Sequence, residues 1–205
     1  MFLPTTPEEV SQLGWDRLDV ILVTGDTYID SPFIGAAVIG KVLLAAGFRV
    51  GIIAQPATES GEDIARLGEP LLFWGVTGGS VDSMVANRTA GGRKRRTDDY
   101  TPGGHNTRRP DRAVLVYSNL IRSHFKGTRP IVLGGIEASL RRVVHYDYWA
   151  NRLRRSILFD AKADYLLYGM AEHSVVELAR TLRAGEDPHS IPGLCYAGRD
   201  LPPDC

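Results

Sequence analysis

Hydrophobic positions along the chain fall in short blocks rather than in one repeating stripe. Leu18–Asp26, LDVILVTGD, is a near-continuous apolar run that closes on turn residues. A strand covered on both faces reads this way, because neither side of its pleat meets water. Phe48–Gln55, Pro70–Thr77, Pro130–Gly135 and Ala163–Met170 repeat the pattern, and Ile191–Ala197 offers a sixth, edge strand. Between these blocks the apolar spacing changes to three and four. FIGAAVIGKVLLAAG, Phe33–Gly47, predicts a helix with Gly47 just past its end. Gly61–Gly68 predicts a short helix, and Arg109–Gly127 a longer one with Pro110 in its first turn. Tyr146–Phe159 predicts another, and Glu172–Glu186 a last one ending at Gly185.

This alternation predicts an α/β fold: three layers around a mostly parallel sheet of five to six strands. The expected topology is flavodoxin-like, opening with a right-handed βαβ unit at Asp19–Gln55 and switching direction beside the first strand. Such sheets collect ligands outside the carboxyl ends of their strands. That singles out Asp26–Gly35, Thr77 onward, Gly134 onward and Gly169–Glu172. Pro32, Gly35, Gly134, Gly135 and Gly169 would shape the backbone there, with Glu172 at the head of the last helix. The expected organisation is an N-terminal extension at 1–17, one domain at 18–198 and the start of a linker at 199–205. A connection at 78–109 far exceeds the usual few residues, as lids and binding loops do.

Composition narrows the function classes. The 205 residues carry 24 basic and 24 acidic side chains, so bulk attraction to nucleic acid or anionic membrane is not indicated. Two cysteines, Cys195 and Cys205, make neither a disulfide framework nor a metal finger, and fit a reducing cytoplasm. The N-terminus lacks a basic segment followed by an apolar core, and no run is long enough to span a membrane. The five histidines are scattered without ligand spacing, so no metal site is expected.

Three constellations carry chemistry. In GDTYIDSPFIG, Asp26 and Asp30 either cap and turn the loop or face a ligand. Two carboxylates there would repel phosphate, which favours a sugar, an amine or a nucleoside hydroxyl. No GxGxxG or GxxxxGK[ST] is present. In the long connection, Arg93, Lys94, Arg95 and Arg96 belong to a set of eight basic residues opposed by Asp98, Asp99 and Asp111. This excess either contacts an anion such as a nucleic-acid backbone or is a solvated loop or interdomain contact, the latter favoured by overall neutrality. In PIVLGGIEASLRRVVHYDYW, Glu137 can accept from a ribose or amine, and Arg141 and Arg142 can clamp an anion. His145 and Asp147 stand two apart and can pair, or the aromatics simply pack. No serine or cysteine is placed to complete a nucleophilic triad.

The blocks LGWDRLDVILVTGDTYIDSPFIGAAVIGKVLLAAGFRVGIIAQP, RPDRAVLVYSN, GGIEASLRRVVHYDYW and RRSILFDAKADYLLYG together resemble the N-terminal region of the YgiQ family of radical SAM proteins, across residues 2–197. PFIGAAVIGKVLLAAGFRVGII and YGMAEHSVVELARTLRAGEDPHSIPGLCY are also similar to the cobalamin-binding-type domain preceding many radical SAM barrels. The resemblance implies a longer protein whose CxxxCxxC loop holds a [4Fe–4S] cluster that cleaves S-adenosylmethionine to a 5′-deoxyadenosyl radical. This chain has no CxxxCxxC and is not expected to perform that step alone; it reads as a truncated part. The resemblance implies an accessory domain shaping or covering the substrate site of a following barrel, and Asp26, Asp30, Glu137, Arg141, His145 and Asp147 are the polar groups expected to face that space. The partner would then be intramolecular, the substrate a small molecule or RNA. The cobalamin motif DxHxxG reads DTYIDSPFIG here, with Tyr28 in place of the histidine, which disfavours histidine-ligated cobalamin and leaves a histidine-independent mode open. The alternative is a non-catalytic module binding a nucleotide-like or nucleic-acid ligand through residues 88–112.

Overall fold

The computed structural model describes residues 1–198; the expected linker at 199–205 lies outside the described residues. Five parallel strands, β1 (Val20–Thr24), β2 (Val50–Ala54), β3 (Phe73–Thr77), β4 (Ile131–Leu133) and β7 (Tyr165–Leu167), form one sheet. β8 (Leu194–Tyr196) closes its edge antiparallel to β7. The order is β2-β1-β3-β4-β7-β8, the flavodoxin-like arrangement expected, with the direction of winding reversing beside β1.

Strand alternation divides the interior into two cores. Val20, Leu22, Phe73, Val132 and Leu167 face α2 (Gly35–Ala45) and α7 (Glu172–Ala184), which supply Leu43, Val175 and Leu178. Ile21, Val23, Trp74, Val76 and Leu133 face α4 (Ala113–His124) and α6 (Ile157–Ala161), which supply Tyr117, Ile121 and Ile157. Both faces of the sheet are therefore covered, which is why its strands read as unbroken apolar runs. The first residues belong to this body. Leu3 is buried, Ile52 N donates to Pro4 O at 2.9 Å, and α1 (Pro7–Gln12) opens with a Thr6–Glu9 capping box.

Several local expectations are corrected. Residues 61–68 form successive turns rather than a helix, closed by short-range bonds such as Gly68 N to Ala65 O. Seven or eight residues bounded by glycines supply too few bonds to offset nucleation. α4 starts at Ala113, not at Pro110, because Arg112 holds a left-handed φ of 56° that breaks the helical path before it. Tyr146–Phe159 is not one helix. β5 (His145–Asp147) and β6 (Arg152–Arg154) pair antiparallel, Asn151 takes a positive φ in the turn, and only α6 continues as helix. The aromatic residues serve a strand as readily as a helix, and Asp147, paired with Arg112 and Arg154, holds the segment as a hairpin. Two short helices, α3 (Ser83–Asn87) and α5 (Gly135–Leu140), have no counterpart in the pattern of apolar positions.

Candidate functional site

A cleft of about 320 Å³ opens at the carboxyl ends of β1, β3, β4 and β7, between α2 and α7. Its floor is apolar and small, with Leu22, Gly75, Val76 and Val132. The rim carries Asp26, Pro32, Gly35, Gly134, Gly135, Gly169 and Glu172. Gly134 is extended and Gly135 turns at φ 80°, which lets β4 pass into α5 without a linker. A side chain at Gly135 would collide with the Thr77 hydroxyl, so this turn and the end of β3 are fitted to each other.

Helix ends give the cleft its polarity. α2, α5 and α7 all start at its rim, and none has a side-chain cap at Ile34, Gly134 or Ala171. α1, α3 and α6, which start elsewhere, are capped by Thr6, Asp82 and Ser156. Uncapped first turns present backbone N–H groups to whatever enters. The two carboxylates expected to repel phosphate are both paired. Asp26 lies 2.6 Å from Arg109 Nη2, and Asp30 pairs with Lys41 at 2.9 Å on the outer face of the loop. Neither carboxylate is therefore left as an uncompensated charge to repel an anion entering the cleft. The cleft can hold a ligand rich in acceptor oxygens, but among the described residues it brings no nucleophile and base together.

The long connection is folded and fastened to this rim. Arg109, with a fully buried side chain, donates from Nε to Gly25 O at 2.9 Å and lies 3.2 Å from Asp98. Ser80 N donates to Asp26 at 2.6 Å, Gln55 donates to Gly25 O and Thr101 Oγ1, and Thr27 N donates to Tyr100 O. Along the sequence Arg109 is one more loop cation. Its burial between two distant aspartates leaves no signature in the residue order, and neither do the buried positions of Asp82 and Ser83.

The remaining residues singled out in the sequence lie on the α4 side. Glu137 is buried, accepting from Ser83 N at 3.0 Å and Val114 N at 3.4 Å. Burial pushes its carboxyl above the ordinary range, despite the bonds from Ser83 and the nearby Arg141. Arg141 pairs with Asp82, and Arg142 donates to Ser139 O while lying over the Tyr168 ring. His145 Nδ1 is 3.1 Å from Val143 O and is not paired with Asp147. Asp147 instead lies 2.5 Å from Arg112 and 2.7 Å from Arg154. Although burial opposes it, these two guanidiniums and the Ala150 N–H hold its carboxyl down at about 2. The folded state thus gains from this group above pH 3.8 and loses the gain as pH falls through about 2. Asp147→Asn is expected to shrink the loss of stability between pH 4 and pH 2, read by urea unfolding; an unchanged acid limb would remove the group from that role. Glu137, Arg141 and Asp147 thus join α3, α4, α5 and the β5–β6 hairpin, while Asp26 borders the cleft.

Residues 2–202 match the family model described as Radical SAM N-terminal. The chain belongs to the Radical SAM N-terminal family. Among curated relatives of this family member, a UPF0313 protein of Fusobacterium nucleatum is 59% identical over 99% of this chain and 36% of its own length. One of Thermotoga neapolitana is 60% identical over 98% of this chain and 36% of its own, and one of Pseudomonas aeruginosa 54% identical over 98% and 27%. The Radical SAM N-terminal domain seen here therefore spans about a third of the length of such relatives and is their N-terminal part. Its fold resembles the radical S-adenosylmethionine methyltransferase TsrM from Kitasatospora setae, solved with cobalamin and a [4Fe-4S] cluster bound, at TM-score 0.57 and 19% identity. That match covers 88% of this chain and 27% of the other. A second TsrM structure, with tryptophan substrate and a SAM analogue bound, gives TM-score 0.55 at 21% identity.

Proposed function

We propose that this domain covers the substrate site of a radical SAM domain carried on the same polypeptide, with its cleft edge facing that domain. The observation that carries the reading is the placement of exposed apolar side chains. Phe33, 89% exposed, and Met170, 88% exposed, stand on opposite lips of the cleft, and exposed Ile136 and Tyr168 adjoin the rim residues Gly135 and Gly169 along the chain. Large apolar groups left in water around a concave site mark a surface that something else covers.

The iron–sulfur and S-adenosylmethionine chemistry would belong to that other domain. Among the described residues no group of three His, Cys, Asp or Glu is placed to hold a metal ion. Cys195 sits half-buried in β8, where burial pushes its thiol up, so it does not fit a cluster ligand. Cobalamin finds no axial ligand at Tyr28 either, because that side chain is half-buried and its hydroxyl accepts from Leu3 N at 3.1 Å. A histidine-ligated cobalamin does not fit these residues. Among the described residues no helix is long and apolar enough to cross a membrane.

The test uses the full-length protein. Phe33→Asp together with Met170→Asp should change the stability of this domain by less than about 0.5 kcal/mol, since both side chains are in water within it. Hydrogen exchange at Gly134, Gly135 and 169–172 should rise severalfold in the double variant while β1–β3 stay protected. Equal exchange in variant and parent would mean that nothing covers this edge.

A further inference from the structure

The basic segment of the long connection gains a role from what the fold does to its acids. Of the three aspartates at 88–112, Asp98 is buried against Arg109 and Asp111 is paired with Arg88. Arg112 is taken up by Asp147. Arg93, Lys94, Arg95, Arg96 and Arg108 remain, all exposed and without an ion pair among the described residues, against Asp99 alone. The neutrality of the whole chain therefore conceals a strongly positive patch.

This patch is held in shape. Arg88 and Lys94 form a β-bridge, as do Thr97 and His105. Buried Asn106 donates to Asn87 O and Arg95 O from beneath, at 3.3 and 3.2 Å. The cations are presented on a braced loop, so less conformational entropy is lost when they engage an anion.

Aromatic groups lie directly beside it. Tyr148, 64% exposed, donates from its hydroxyl to Ala90 O at 3.2 Å, joining the β5–β6 hairpin to the loop. Trp149 meets the Tyr148 ring edge-on at 5.4 Å. Tyr146, 57% exposed, pairs across the hairpin with exposed Leu153. Cations that track a backbone next to rings that stack with bases are the two requirements for holding single-stranded nucleic acid.

We propose that residues 88–108 and the β5–β6 hairpin form a binding surface for single-stranded nucleic acid. An acidic protein segment would use the cations but would leave Tyr146 and Tyr148 without a role, and a duplex would not stack on them. The surface is continuous with the cleft rim, because Tyr100 of the same connection accepts from Thr27 of the β1–α2 loop. Binding at this surface does not depend on the covering role proposed above.

The experiment is an anisotropy titration of the full-length protein with labelled oligouridylate and oligothymidylate over a salt series, which requires no turnover. Affinity should fall steeply with salt. Arg93→Glu, Lys94→Glu, Arg96→Glu and Arg108→Glu combined should weaken binding at least about tenfold and flatten the salt slope by about 0.7 for each phosphate no longer neutralised. Tyr146→Ala with Tyr148→Ala should weaken binding roughly tenfold while leaving the slope in place, as the removal of stacking does. Lys126→Glu with Arg129→Glu, exposed cations at the other end of β4, should bind like the parent. Should the fourfold variant melt early, Lys94→Glu alone carries the charge arm. Tighter binding of the uridylate marks RNA as the ligand and of the thymidylate DNA, either in support. No binding by the parent, equal losses in the loop and control variants, or tyrosine variants indistinguishable from the parent would each overturn the proposal.

Discussion

Arg109→Met is expected to lower the stability of this domain by about 3–5 kcal/mol. The guanidinium is fully buried and lies between Asp26 and Asp98, which come from the end of β1 and the middle of the long connection. Methionine keeps much of the volume but leaves two carboxylates facing each other without a counter-charge. It also removes the donor to Gly25 O. Because Arg109 joins the connection to the sheet, the loss is local first: protease cleavage at 88–108 should appear before the sheet unfolds. Urea unfolding followed by tryptophan fluorescence, with limited proteolysis in parallel, reads both effects. A midpoint within error of the parent would show that the triad does not hold the loop. Asp26→Asn with Asp98→Asn in the Arg109→Met background should recover part of the loss, since the repulsion goes with the charges.

Glu137→Ala is the second large effect, about 2–4 kcal/mol, because it empties a packed position and strands two buried donors. Those donors, Ser83 N and Val114 N, start α3 and lie in the first turn of α4. The carboxylate also presses on Gly78, where any side chain would collide with it, so it sets the first turn of the connection after β3. Glu137→Gln separates shape from charge. Burial holds the folded carboxyl above its ordinary 4.5, so the folded chain binds this proton more tightly than the unfolded chain. Its contribution is most favourable below pH 4.5 and declines as pH rises from there through the folded value. Glutamine carries no such decline. Relative to the parent, Glu137→Gln should therefore gain stability as pH is raised from 4 to 7, while Glu137→Ala stays destabilised throughout. A constant difference between Glu137→Gln and the parent across that range would mean that the buried carboxyl is not perturbed.

Much of the architecture is legible in the residue pattern. A strand buried on both faces has no polar side to alternate with, and Leu18–Asp26 and Pro70–Thr77 show that directly. The helix ends at Gly47 and Gly185 are legible for a local reason, since both take positive φ and glycine does so without strain. The hairpin at 145–154 is not, because Tyr146, Trp149, Leu153 and Ile157 satisfy helical spacing as well as they satisfy a strand and turn. What chooses between them is Asp147, gripped by Arg112 from the start of α4 and Arg154 from the facing strand.

The candidate site divides along the same line. The sequence by itself determined the alternation of buried strands and helices and the glycine-rich turns at the strand ends, because each depends on neighbours within a few residues; the right-handed crossover rule then leads from that alternation to the parallel sheet and its switch point. Only the tertiary structure decided which charges are free. Asp26, Asp98 and Arg109 look like three ordinary loop charges until the fold brings the two aspartates to the arginine from 83 and 11 residues away and shuts out water. The same event leaves Arg93, Lys94, Arg96 and Arg108 exposed and without an ion pair among the described residues. Charge pairing is a property of distance and burial, not of order along the chain, and the fold alone sets both.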